Sequence, residues 1–295
     1  MNESNHTVVC DDGYPLTCRA YESDRPGGVC MVIAPALGVP QRFYRDLARF
    51  LADAGITIVS LDYRGVGDSS PQSAKAQQLT FADWGRFDID AALSFARQRF
   101  TPDTMLLLGH SCGGQLFGLA PQSEALDGVV FVASGLAHWR LWAQPARTAM
   151  FLVWGTVVPL LSLGRKNFPA RRLGFSSVDL PSGVTRQWAK WAMHPDYLFA
   201  PRFGLDTSRY AAISVPALAW SFSDDRYAPR EAVDALLDHF PALRTERRHV
   251  AAAQMREGRI GHFGFFRPVM RDQLWPDLLG WINSRVTGSR GFARR

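Results

Sequence analysis

The residues best suited to chemistry are Gly109-His110-Ser111-Cys112-Gly113, a G-x-S-x-G pattern. The apolar run Met105 to Leu108 precedes it, and a stretch predicted to be helical, through Leu116 and Leu119, follows. In a strand-turn-helix setting, a sharp turn lifts the serine Oγ above the sheet, and the flanking glycines remove side chains that would clash in that turn. The helix start aims free backbone N–H groups at the same point. Ser111 is therefore the candidate nucleophile.

A serine hydroxyl is a poor nucleophile until a base takes its proton. In elbow-type sites the acid and then the base follow the serine along the chain. The downstream histidines are His138, His194, His239, His249 and His262. His239 ends an amphipathic helical pattern, His249 sits in an alternating strand-like run, and His138 and His194 fall in a stretch without strand signals. His262 lies in the Gly-flanked segment Arg259 to Phe266, just before the last predicted helix, where an imidazole can reach across a sheet end to Ser111. It is the candidate base. A carboxylate should orient that imidazole and stabilise its cation. Asp224 and Asp225 both follow the apolar run Pro216 to Ser221, and position alone leaves the choice between them open.

The elements that must position these groups alternate. Val8 to Cys10 and Leu16 to Tyr21 flank Asp12-Gly13 and predict a strand pair. Val29 to Ala34, Ile56 to Leu61, Met105 to Leu108, Val129 to Ala133 and Pro216 to Ser221 are short apolar runs suited to buried strands. Phe43, Leu47, Phe50, Leu51 and Ala54 share one helical face, with Gly55 in a C′ position. Thr80 and Asp83 resemble a capping box ahead of a helix carrying Trp84, Phe87, Ala91 and Phe95. Pro229 marks the first turn of a further helix, and Leu274, Leu278 and Ile282 predict a last one beginning near Pro268. Strands alternating with amphipathic helices imply an α/β fold with a mostly parallel central sheet and helices on both faces. The alternation stops over residues 136–210, which reads as a helical insertion in a core made of residues 1–135 and 211–295.

Composition narrows the alternatives. With 47% hydrophobic and 20% charged residues, the chain has the make-up of a folded domain. The net charge of +6 comes from scattered arginines with no nucleic-acid-binding motif around them, so no nucleic-acid partner is expected. The spacing of Cys10, Cys18, Cys30 and Cys112 fits neither a zinc site nor a redox pair, so these read as free thiols of a reducing compartment. Met1 to Thr7 lacks the apolar run of a signal peptide, which leads to a cytoplasmic expectation. The uncharged run 148–164 is short for a membrane helix and is interrupted by Gly155 and Pro159. It is expected to be a buried or pocket-lining helix, without membrane contact.

The segments Ala34 to Pro40, Asp62-Tyr63-Arg64-Gly65-Val66-Gly67-Asp68-Ser69 and Ile260 to Phe266, together with the elbow, resemble the α/β-hydrolase superfamily over nearly the whole chain. They are especially similar to a bacterial group of predicted α/β hydrolases of serine esterase type. The resemblance implies that residues 136–210 form a cap over the active site. It favours Asp225 over Asp224, because the superfamily's acid commonly stands four residues before a proline, here Pro229. It also implies an oxyanion hole built from the backbone N–H groups of Leu37 and Cys112, although Pro35-Ala36 stands where many relatives carry His-Gly. The segment Asp62 to Ser69 is implied to be a structural turn. A serine at the elbow departs from the haloalkane dehalogenases and epoxide hydrolases of this fold, which use an aspartate.

The expected function is hydrolysis of a carboxylic ester, or a related acyl bond, of a hydrophobic small molecule by Ser111, His262 and Asp225, with neither metal nor organic cofactor. The same three residues could serve an acyltransferase or thioesterase, or the chain could be a non-catalytic ligand-binding member of the fold. Aromatic residues of the insertion, among them Trp139, Trp142, Trp154, Phe175, Trp188 and Trp191, suit an acyl or aromatic substrate.

Overall fold

The computed structural model describes residues 1–24, 28–70, 78–174 and 176–292. The chain opens with an antiparallel pair, β1 (Asn2–Val9) and β2 (Pro15–Glu22), joined at Gly13, whose positive φ the turn requires. Four mostly apolar runs follow as β3 (Val29–Ala34), β4 (Ile56–Leu61), β5 (Thr104–His110) and β6 (Gly128–Val132), every residue of them buried. Burial on both faces is what such runs require, because helices cover each side of a parallel sheet. After a ribbon of two short strands, β7 (Asn167–Phe168) and β8 (Leu180–Pro181), the sheet is completed by β9 (Pro216–Phe222) and β10 (Arg244–Val250). The order in the eight-stranded sheet is β1-β2-β4-β3-β5-β6-β9-β10, with the β1–β2 and β2–β4 pairings antiparallel and the rest parallel.

The pleat of β3 divides the core. Cys30, Val32 and Ala34 join the layer that contains the helix Asp90–Phe100. Met31 and Ile33 join the layer containing the helix Arg45–Asp53 and the C-terminal residues Leu278 and Ile282. Thr80 and Asp83 form a reciprocal capping box, Asp83 N–H donating to Thr80 Oγ1 and Thr80 N–H to Asp83 Oδ2. The chain then winds through a π-helical segment, Trp84–Ile89, before the α-helix.

Two expectations need correction. The last helix begins at Trp275 rather than near Pro268, and Pro268–Met270 is only a 3₁₀ turn. A helix started at Pro268 would carry Pro276 deep in its interior, where proline removes a hydrogen bond and clashes with the preceding turn; starting at Trp275 leaves Pro276 in the first turn. Residues 136–210 are not purely helical either, because they include the β7–β8 ribbon, whose two-residue strands are too short to show a period.

Within that stretch, Ala146–Leu152, Val153–Val157 and Val158–Ser162 follow one another as a single helix with a π-helical middle. Trp154, Val158 and Ser162, at steps of four, are buried, whereas Leu152, Thr156, Leu160 and Leu163 are exposed. The run expected to be buried or pocket-lining is therefore buried on one side only, with an apolar residue at most positions of its open side. Among the described residues, no helix is long and apolar enough to cross a membrane.

Candidate active site

Ser111 stands between the end of β5 and the helix Cys112–Leu116 with φ 53° and ψ −116°, a left-handed conformation that a residue other than glycine rarely adopts. Strain of this kind costs about 1–3 kcal/mol and persists only where the surroundings enforce it. Here they do. Ser111 N–H donates to the Val132 carbonyl and Gly114 N–H to the Ser111 carbonyl. A Cβ on Gly109 would lie 2.4 Å from the Gly114 nitrogen, and one on Gly113 would lie 2.2 Å from the Ala34 carbonyl oxygen. The glycines of the motif thus let the elbow helix press against its own strand and against the end of β3. Cys112 Sγ donates to the Pro35 carbonyl at 3.5 Å, tying the elbow to the loop that holds Leu37. Burial pushes this thiol well above its usual range.

Asp225 lies just beyond β9, its side chain fully buried. Its Oδ1 accepts the backbone N–H groups of Tyr227 at 2.8 Å and Ala228 at 3.0 Å. The carboxylate faces His262 Nδ1, 2.9 Å from Oδ2 and 3.1 Å from Oδ1. A carboxylate only accepts, so Nδ1 carries the proton and Nε2 is left with its lone pair. Asp224, next along the chain, points elsewhere: its two oxygens accept the N–H groups of Ile260 and Gly261, each at 2.9 Å. One aspartate holds the backbone leading to His262 and the other meets the ring. His262 lies in a short helical turn, Gly261–Gly264, rather than in an open loop.

The other histidines have partners of their own. His138 Nδ1 donates to the Ala192 carbonyl, His239 stacks on Phe199, His249 Nδ1 bonds Ser221 Oγ, and His194 Nδ1 accepts the Asp196 N–H. Asp62 accepts N–H groups from Gln41 and Asp68, and a Cβ on Gly67 would lie 2.3 Å from its Oδ2, so the turn 62–69 is a braced structural one.

A narrow cavity of about 70 Å³ joins these parts. Ser111, His262, Leu37 and Cys112 line it from the sheet, and Met150, Trp154 and Trp188 line it from the segment between β6 and β9. The family model described as serine aminopeptidase, S33 (Hydrolase_4) matches residues 29–194 of this chain. The chain belongs to that family. It is an α/β hydrolase, and the matched span holds Ser111 but ends before Asp225 and His262. Solved structures show the same fold at low identity. A lipase in its open form is 16% identical, with TM-score 0.63 over 97% of this chain and 99% of the other. The esterase domain of a Rhodothermus marinus protein is 17% identical, with TM-score 0.60 over 97% and 100%. A Xanthomonas campestris α/β serine hydrolase without a lid is 16% identical, with TM-score 0.54 over 97% and 94%.

The candidate site is tied together by two residues that motif reasoning passes over. His110 is fully buried, and its Nε2 donates to the His262 carbonyl at 2.9 Å. Its Nδ1 must then accept, and Tyr44 Oη donates to it at 2.8 Å while accepting the Ala36 N–H at 2.8 Å. Burial, and next the nearby His262, hold the His110 imidazole well below its usual range, so it stays neutral and keeps this direction of donation. One chain of three hydrogen bonds therefore links the loop before Leu37, the elbow and the segment carrying His262. The signal for His110 was its place inside the motif. Tyr44 carried a periodic signal instead: with Leu47, Ala48 and Leu51 it falls at i, i+3, i+4 and i+7, and these four are buried, whereas Phe43 and Phe50 are half-buried and Ala54 is exposed. Phe175 lies outside the described residues.

Proposed function

We propose that the chain hydrolyses carboxylic esters of a hydrophobic small molecule through Ser111, His262 and Asp225. The observation that carries this reading is the buried His262–Asp225 pair opening onto the same cavity as a serine held in left-handed strain. In the reaction, His262 Nε2 removes the proton as Ser111 Oγ attacks the ester carbonyl. The backbone N–H groups of Leu37 and Cys112 stabilise the oxyanion, each such donor contributing roughly 3–4 kcal/mol in the transition state. Protonated His262, held by Asp225, passes its proton to the leaving alkoxide. A water then attacks the acyl-enzyme with His262 again as base, releasing the acid and restoring Ser111.

The lining supports an apolar acyl group over the charged amino terminus of a peptide, since it consists of aliphatic, aromatic and sulfur-bearing side chains around Gln115 and the reacting residues. Residues 136–210 act as the cap, and Trp154 is a candidate contact. Its buried indole Nε1–H has no protein acceptor among the described residues, a condition worth about 1–3 kcal/mol that a substrate oxygen could relieve. A chain-length series of p-nitrophenyl esters, assayed with Ser111→Ala in parallel, tests the proposal. The expected outcome is turnover of at least one short or medium ester and a loss of about 10⁴-fold or more in the variant. Equal activity of the two proteins would remove Ser111 from the mechanism.

A further inference from the structure

The helix 146–162 has two apolar sides. The inner one reaches the cavity through Met150 and Trp154. The outer one carries Leu152 (51% exposed), Leu160 (64%) and, just past the helix end, Leu163 (75%); Phe151 (42%), edge-on to Trp139 at the flank of the helix, and Leu173, on the turn after β7, are exposed as well. These five make up most of the large hydrophobic residues exposed among the described residues, so the apolar exposure of the molecule is concentrated in one stretch of chain. Clustering of that kind marks an interaction surface, whereas single exposed leucines are ordinary.

Charge shows what the surface meets. No Asp or Glu occurs between Asp127 and Asp179, and that span contains Arg140, Arg147, Arg165, Lys166, Arg171 and Arg172, all exposed. Their six charges equal the chain's whole net charge of +6, so the remainder balances to zero. Arg165 and Lys166 come directly after Leu163 and Gly164, and Leu173 directly after Arg171 and Arg172. An apolar helix side flanked by cations is the pattern of a helix lying in the plane of an anionic lipid surface, its leucines among the acyl chains and its cations at the headgroups.

We infer that the outer side of the helix 146–162, with the basic turns that follow it, docks on anionic lipid surfaces. The site's own cavity, about 70 Å³, is small for an acyl ester, and the helix that touches the lipid on one side walls that cavity on the other. Docking would therefore draw on the element that stands between the site and a lipid-dissolved substrate. The surface itself does not depend on the proposed esterase chemistry, because binding can be read without turnover.

The test is flotation of the full-length protein with vesicles of phosphatidylcholine alone and of phosphatidylcholine with phosphatidylglycerol, at low and high salt. Two double variants are compared with wild type, Leu160→Glu/Leu163→Glu and Arg165→Glu/Lys166→Glu, and hydrolysis of a water-soluble p-nitrophenyl ester monitors the site. Wild type should float with the phosphatidylglycerol vesicles and bind phosphatidylcholine alone at least about tenfold more weakly. Each double variant should lose about tenfold or more in binding, salt should weaken the wild-type interaction, and soluble-ester activity should be unchanged. Failure of wild type to float with anionic vesicles, or undiminished binding by the leucine variant, overturns the proposal. So does a wild type that self-associates on a sizing column without binding vesicles while the leucine variant stays monomeric, since that assigns the surface to a second copy of this chain. Absence of ester turnover by the wild type, with its vesicle binding intact, would count against the esterase reading alone.

Discussion

The rim of the sheet and the outer side of the helix 146–162 stand at opposite ends of a scale of constraint. At the rim, Ser111, Asp225 and His262 are each fixed by named hydrogen bonds, and a methyl group's worth of extra volume at Gly109 or Gly113 would collide with backbone. On the helix's outer side, Leu160 and Leu163 are largely open to solvent. Geometry is enforced at the candidate reacting groups, and the outer surface carries instead a chemical character, apolar with a basic margin, that tolerates changes of shape.

Substitutions can sharpen or break that contrast. The largest effect is expected from Asp225→Asn, which would let His262 take the wrong tautomer and lower kcat by about 10³–10⁴-fold, measurable on the best p-nitrophenyl ester. Asp224→Asn should lose far less, because its amide oxygen can still accept one of the two N–H groups it now holds. Equal losses in the two variants would mean that bracing the segment matters as much as orienting the ring. Next comes Tyr44→Phe. It strands the Ala36 N–H and His110 Nδ1 in a fully buried place, so a loss of about 2–4 kcal/mol in denaturant unfolding is expected, along with up to about 10²-fold in kcat if the three segments shift. A stable Tyr44→Phe with full activity would show that the linked segments hold their places without the chain of hydrogen bonds.

The weakest effects belong to the open side and to the thiols. Leu152→Glu should change stability by no more than about 0.5 kcal/mol in thermal unfolding, since it adds charge where water already is. A larger loss would reveal packing that the exposed position does not suggest. All four cysteines are buried and free, and burial pushes Cys10 and Cys30 up to about 12 and Cys18 and Cys112 further still. A thiol reagent at neutral pH should therefore titrate none in the native protein and all four after unfolding. Native reactivity of even one would point to local opening of the elements around it.

Much of the fold was legible because its signals are short-range. The runs in β3, β4, β5, β6 and β9 are mostly apolar, and the Thr80/Asp83 box encodes its own geometry in four residues. Ser111 was legible for the same reason, since a left-handed elbow needs glycines at fixed offsets. What could not be read arises from contacts made only on folding. Tyr44 meets His110 across 66 positions and Asp224 meets Ile260 across 36, and neither pairing leaves a pattern along the chain. The extra turn between Pro268 and Trp275 was legible in principle, because Pro276 forbids one continuous helix through it. The sidedness of the helix 146–162 was present in the spacing of Trp154, Val158 and Ser162, but the apolar residues on both of its sides mask that period.

The Asp224 clamp has a consequence for how this molecule can be rebuilt. It returns the chain to within one hydrogen bond of where it left, closing residues 225–259 into an excursion whose two ends meet beside the candidate site. Such an excursion is a module. The strand and helix between its ends can be lengthened, swapped for a relative's, or opened at the exposed turn near Gly258 to make new termini, provided that Asp224 and Asp225 are kept to hold His262 registered against the sheet.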